Sequence, residues 1–162
     1  MGMCTSRHLF RYHGLLESAV NVTLDLLFNS DLYSEPLGME NGNIPSDAIK
    51  ASSELDEPHS ATRARLNTKP EGELMGAWVP LESDENQWLQ VDLGKVAEIT
   101  KISTQGGGEG VEHHVASYIL LFSEDEENVE EYKENGELKV SYNGSHTHIH
   151  WHATLSLSVH LF

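Results

Sequence analysis

An all-β sandwich or barrel is the fold class that this 162-residue sequence predicts, and three features carry the prediction. Short runs of alternating hydrophobicity recur through the middle of the chain, turn residues separate them at brief intervals, and no long stretch of helical periodicity interrupts them. The clearest run is "WLQVDLG" at 88–94, where Leu89, Val91 and Leu93 fall on one side and Trp88, Gln90 and Asp92 on the other. Period 2 is the signature of a strand with one buried face, and Gly94 ends it. "VAEITKIST" (96–104), "VASYILLFS" (115–123) and "ELKVSY" (137–142) read as three further strands, the middle one apolar enough to be central. Upstream, "MENGNIPSD" holds an Asn-Gly turn at 41–42 and a proline at 45.

The flanks differ from this middle. Leu15, Leu16, Ala19, Val22, Leu26 and Leu27 recur at roughly helical spacing, so residues 1–32 read as a short helical or disordered extension. Its scattered basic residues, with Glu17 and Asp25 breaking the apolar part, do not make a convincing signal peptide. No run approaches the about 18 apolar residues of a membrane helix. Lys plus Arg number 10 against 26 Asp plus Glu, a net charge of −16. Such a chain is repelled by nucleic acid and by anionic lipid, and favours cations, basic protein patches or neutral ligands. Its one cysteine, Cys4, can form neither an internal disulfide nor a zinc framework. Asn21-Val-Thr and Asn143-Gly-Ser are sequons that matter only in a secreted protein.

Two segments between the strands invite chemistry. "GGGEG" (106–110) has no Gly-Lys-Ser/Thr ending and carries Glu109 inside it, so a flexible hairpin loop is preferred over a phosphate loop. The acidic run 123–137 does not space its oxygens as an EF-hand does, and reads as a solvated face between strands.

Taken in order, "SEPLGMENGNIPSDAIKASSE" (34–54), "ARLN" (64–67), "AWVP" (77–80), "NQWLQVDLGKVAEITKISTQG" (86–106), "SYILLFSED" (117–125) and "EEYKENGELKV" (130–140) resemble the discoidin family, also called the coagulation factor V/VIII type C domain. The resemblance covers about residues 33–144 and implies a jelly-roll β-sandwich of the galactose-binding-like kind. It further implies an extracellular, non-enzymatic module whose loops at one end bind phospholipid heads, collagen, glycans or proteins, often in cell adhesion. On that fold Trp78 and Trp88 are expected to anchor the sandwich or its closed end. Arg65 is expected to meet a buried carboxylate, with Asp92 the first candidate.

Three departures from the family pattern stand out. Tyr33 occupies the place of the family's first cysteine, and the closing cysteine is absent too; losing such a bridge typically costs ~2–5 kcal/mol. After Gly144 the family's last strands are not recognisable. The ligand-end loops are acidic: "ELDEPHSAT" (54–62) and "GGGEGVEHHV" (106–115) contain no Trp, Phe or Lys. Basic residues contribute ~1 kcal/mol each at an anionic membrane, so that ligand is disfavoured here.

The closing segment 145–162 alternates apolar residues with His148, His150, His152, Thr154, Ser156, Ser158 and His160. It reads as an atypical last strand with a solvated face. The alternative is an adventitious metal face on His148, His150 and His152, since imidazoles two apart share a side; a closed zinc shell lacks further ligands.

The function expected is recognition of carbohydrate, collagen or another protein through Glu54, Asp56, His59, Glu109, His113 and His114. Their carboxylates and imidazoles can accept from sugar hydroxyls or face a basic protein. No cofactor is expected, calcium being the one left open. A phospholipid module and a truncated, non-binding fragment are the competing readings. A hydrolase built on His113 and Glu112 is disfavoured, because no nucleophile elbow or HExxH motif accompanies them.

Overall fold

The computed structural model describes residues 9–13, 20–21, 27–30, 33–94, 99, 105–106, 115, 117–123, 128–138 and 140–142. Its strands follow in chain order: β1 (Leu9–His13), β2 (Val20–Asn21), β3 (Leu27–Ser30), β4 (Tyr33–Pro36), β5 (Ile49–Ala51), β6 (Leu89–Asp92), β7 (Gln105–Gly106), β8 (Ser117–Ser123), β9 (Glu130–Glu131), β10 (Lys133–Glu134), β11 (Glu137–Leu138) and β12 (Val140–Tyr142). The helical elements among the described residues are three single 3₁₀ turns, Ser46–Ala48, Glu57–His59 and Ala61–Arg63. None is long and apolar enough to cross a membrane.

A six-stranded antiparallel sheet, in the order β12-β8-β1-β6-β5 with β9 also on β8, carries the core. The "WLQVDLG" alternation is realised in β6, where Leu89 and Val91 are fully buried and Gln90 and Asp92 are half-buried. Across the ladder Ile49 pairs with Val91 and Ala51 with Leu89, so the same sheet face receives both strands' apolar residues. From β8, Tyr118 and Leu120 join them, with Val115 just upstream. Trp78, Met39 and Ile44 fill the space beneath. Burying Trp78 completely removes the largest side chain of the set from water, and it anchors this end of the core.

The described part of the N-terminal extension is extended rather than helical. β1 lies between β6 and β8, pairing Phe10 with Val91 on one side and with Phe122 on the other. Leu27, expected on a helix, belongs to β3, which pairs with β4. The physical reason is hydrogen-bond satisfaction: a strand inserted between two neighbours fills both of its edges, whereas a short lone helix is marginal in water. Leu15, Leu16, Ala19, Val22 and Leu26 lie outside the described residues. So do most of the expected strand at 96–104, although Ile99 is buried in the core, and all of 145–162.

The described part of the acidic run, from residue 128 on, forms a short ladder and a hairpin. β9 extends the edge of β8, and β10 pairs with β11 across Asn135-Gly136, whose φ angles of 55° and 86° are those of a tight hairpin turn.

Candidate functional site

Two loop segments, 52–60 and 74–81, lie side by side. The Leu55 N–H donates to Val79 O at 2.8 Å, Val79 N–H to His59 O at 3.1 Å, and Met75 N–H to Pro58 O at 3.0 Å. Together these bonds make one continuous surface of two segments.

A buried polar network braces this surface from below. Gln87, only 6 % exposed, is its hub. Its Oε1 accepts from the Ser52 hydroxyl at 2.6 Å and from the Ser53 hydroxyl at 2.7 Å. Its Nε2 donates to Asp84 Oδ1 at 2.8 Å. Trp78 Nε1 donates to Ser53 O at 2.9 Å. The serine hydroxyls accept in turn, Ser53 from Leu81 N–H at 3.1 Å and Ser52 from Trp88 N–H at 3.1 Å. A Gln can both donate and accept, so one side chain bridges the Ser52–Ser53 pair and Asp84, and the network fixes their relative positions. The Asp84 carboxylate is held below its ordinary pKa by the bonds from Gln87 and then from the Asn86 backbone.

Two arginines pin neighbouring loops. Arg65 donates to Met39 O at 2.9 Å and Ile44 O at 2.8 Å, holding the turn whose Met39 and Ile44 side chains enter the core. The expected pair with Asp92 does not form. Asp92 Oδ1 accepts the Gly94 N–H at 2.7 Å, closing the turn after β6, while the guanidinium answers two carbonyls that the turn itself leaves unpaired. Burial lowers the Arg65 pKa from its ordinary value. Arg63 faces the other way and donates to Met75 O at 2.5 Å and Lys69 O at 2.7 Å, tying the 74–81 segment to the turn at 61–63. Trp78 is fully buried in the core, and Trp88, just before β6, is half-buried.

Of the six predicted binding residues, three are brought together in the first segment. His59 Nδ1 lies 2.6 Å from Asp56 Oδ1, and the same oxygen accepts the His59 N–H at 3.1 Å. Glu54 Oε1 accepts the Ala61 N–H at 2.7 Å, capping the next 3₁₀ turn. Glu54 and Asp56 therefore shape the loop, as N-terminal caps do, while remaining exposed. Glu109, His113 and His114 lie outside the described residues, as do His148, His150 and His152. Among the described residues no group of three or more His, Cys, Asp or Glu is placed to hold a metal ion.

Ser52, Ser53 and Gln87 are missed by a reading of pattern alone. They sit within "ASS" and "NQW", conspicuous stretches, but nothing in hydrophobic periodicity says that an amide will bridge two hydroxyls 34 and 35 residues away.

Sequence comparison agrees with this architecture. The F5/8 type C domain model matches residues 48–156, more than half of the chain. The chain belongs to the F5/8 type C, or discoidin, family. Its fold is accordingly the jelly-roll β-sandwich of that family. A stretch of 73 residues is 47 % identical to neuropilin-1a of Danio rerio, covering 45 % of this chain and 7 % of that protein. Neuropilin-1 of Homo sapiens is 46 % identical over 72 residues, 44 % of this chain and 7 % of that protein. Coagulation factor V of Sus scrofa is 40 % identical over 99 residues, 56 % of this chain and 4 % of that protein. These F5/8 type C matches thus span less than a tenth of the length of the curated relatives.

Proposed function

We propose that this chain is a non-catalytic, extracellular recognition module that binds carbohydrate, collagen or another protein through the loop end formed by residues 52–60 and 74–81. The family resemblance implies that Glu109, His113 and His114, outside the described residues, contribute to the same ligand. The observation that carries the reading is the contrast between a hydrogen-bonded base, centred on Gln87, and a surface bearing exposed carboxylates, the half-buried His59 imidazole and exposed apolar side chains. Rigid support beneath adaptable contact groups is what recognition needs, because the ordering cost is met before the ligand arrives. Membership of the discoidin family supports both the binding role and the extracellular setting.

The carboxylates oppose an anionic membrane as ligand. A glycan array together with a collagen-binding assay, each run with and without calcium, tests the proposal. Binding that falls in His59→Ala at unchanged thermal midpoint is the expected outcome. Absence of signal in both assays under both conditions counts against it.

A further inference from the structure

Asn-Gly occurs three times, at 41–42, 135–136 and 143–144. The last lies outside the described residues. The first two look alike in sequence and differ in what holds their turns. Both asparagines and both glycines are exposed. Gly42 has φ +80° and Gly136 φ +86°, and nothing lies within 4 Å of where a Cβ would stand at either. Neither glycine is crowded, so the difference rests on the cost of opening each turn.

The 41–42 turn is tied to the core. Arg65 bonds Met39 O and Ile44 O on either side of it. The Ile44 N–H donates to Gly38 O at 3.1 Å, and Asn41 Oδ1 accepts the Asn43 N–H at 3.0 Å. Met39 and Ile44 are buried. Moving Asn41 out of this turn breaks those bonds and disturbs core residues.

The 135–136 turn joins β10 to β11, a separate two-stranded sheet with two residues on each side. Its closing pair sets Glu134 opposite Glu137, like charges that weaken a ladder. Asn135 stands at φ 55°, a left-handed conformation that asparagine tolerates. Residues 133–137 are all exposed. A hairpin this short that stands alone is marginal in water, so opening it costs little.

We infer that Asn135 is a site of spontaneous covalent modification, deamidation through a cyclic imide, and that folding spares Asn41. When the turn opens, solvent base takes the Gly136 N–H proton and that nitrogen attacks Asn135 Cγ. The N–Cγ bond forms, the Cγ–Nδ2 bond breaks, and ammonia leaves with a proton from water. Water then opens the imide at one carbonyl or the other, giving aspartate or isoaspartate. Water is the co-reactant, and no electrons are transferred. The product sets a further carboxylate between Glu134 and Glu137. Isoaspartate also lengthens the turn's backbone by one carbon, so the modified hairpin closes less readily.

The full chain is aged at mildly alkaline pH, folded and in urea, and peptide maps by mass spectrometry follow positions 41, 135 and 143 separately. Isoaspartate is read independently, as methyl acceptance from S-adenosylmethionine in the presence of an isoaspartate methyltransferase. Each rate in the folded chain is compared with its own rate in urea. Asn135 stays within about tenfold of its urea rate, and Asn41 is slowed by more than about tenfold relative to Asn135. Glu137→Lys, which sets a cation opposite Glu134, slows Asn135 about threefold in the folded chain, leaves its urea rate unmoved and leaves Asn41 unchanged. Arg65→Met speeds Asn41 and leaves Asn135 unchanged. Equal protection of Asn41 and Asn135 by folding overturns the inference. So does an Asn135 rate insensitive to Glu137→Lys in a chain with the wild-type thermal midpoint. Either result leaves the recognition role standing, because the site lies apart from residues 52–60 and 74–81.

Discussion

Arg63 and Arg65 stand two residues apart, and each guanidinium grips two backbone carbonyls, yet they hold different parts of the molecule. Arg65 reaches inward to Met39 and Ile44, whose side chains are core. Arg63 reaches outward to Met75 and Lys69, whose side chains are exposed. The same chemistry thus supports stability on one side of the 61–65 turn and a contact surface on the other. The difference teaches that the role of a buried or half-buried arginine follows from what its carbonyl partners carry, and not from the arginine itself.

The comparison can be strained from the inside first. Trp78→Ala empties the base of the loop end and is expected to cost about 3–5 kcal/mol, seen as a large fall in the denaturant midpoint. Gly38→Ala tests the Arg65 side at its turn. Gly38 has φ +115°, and a Cβ there would sit 2.4 Å from Asn43 Cβ, so about 2–4 kcal/mol is lost through strain and overlap. Arg65→Met leaves two carbonyls without their donor and is expected to cost about 1–3 kcal/mol. Arg63→Met, by contrast, should move the thermal midpoint less while weakening ligand binding more. Equal stability losses from the two would dissolve the distinction.

Smaller effects sharpen it. Gln87→Leu strands the Ser52 and Ser53 hydroxyls under the loop end and is expected to destabilise by about 1–3 kcal/mol. Because Asp84 has a folded-state pKa below its unfolded one, its contribution is present above the unfolded pKa and is lost as pH falls through the folded value. Asp84→Asn should therefore lower stability at neutral pH, leave it nearly unmoved below the folded pKa, and so flatten the acid side of the stability-against-pH curve. A curve with unaltered acid-side slope would remove Asp84 from the network.

How much of this was legible in the sequence varies by element. "WLQVDLG" is readable because one face of β6 is buried and the other is not, which writes the register into the alternation itself. "VASYILLFS" reads as central for a similar reason, since β8 has neighbours on both edges. The Asn135-Gly136 hairpin lies within a segment read as a solvated face, and all of β9, β10 and Glu137 are exposed.

The sites of failure share a cause. Leu9–His13 enters the main sheet through long-range backbone pairing, whereas the helical spacing read at Leu15 to Leu27 is local. Charge alone points Arg65 to Asp92, but its partners are carbonyls, which every residue carries and no sequence displays. The exposure of Leu55 and Leu81 was equally hidden, as an apolar residue in a loop looks the same whether it faces the core or the solvent. Glu54 and Asp56, expected to meet a ligand, make capping bonds that shape their own loop, a role that residue type alone does not announce.

The most direct test of the account is glycan and collagen binding by the His59→Ala variant, taken beside its thermal unfolding curve. The account predicts a cooperative transition at the wild-type midpoint and an affinity reduced by about tenfold or more. Wild-type affinity in a stably folded variant would contradict it, and would move the recognition surface away from this end of the sandwich.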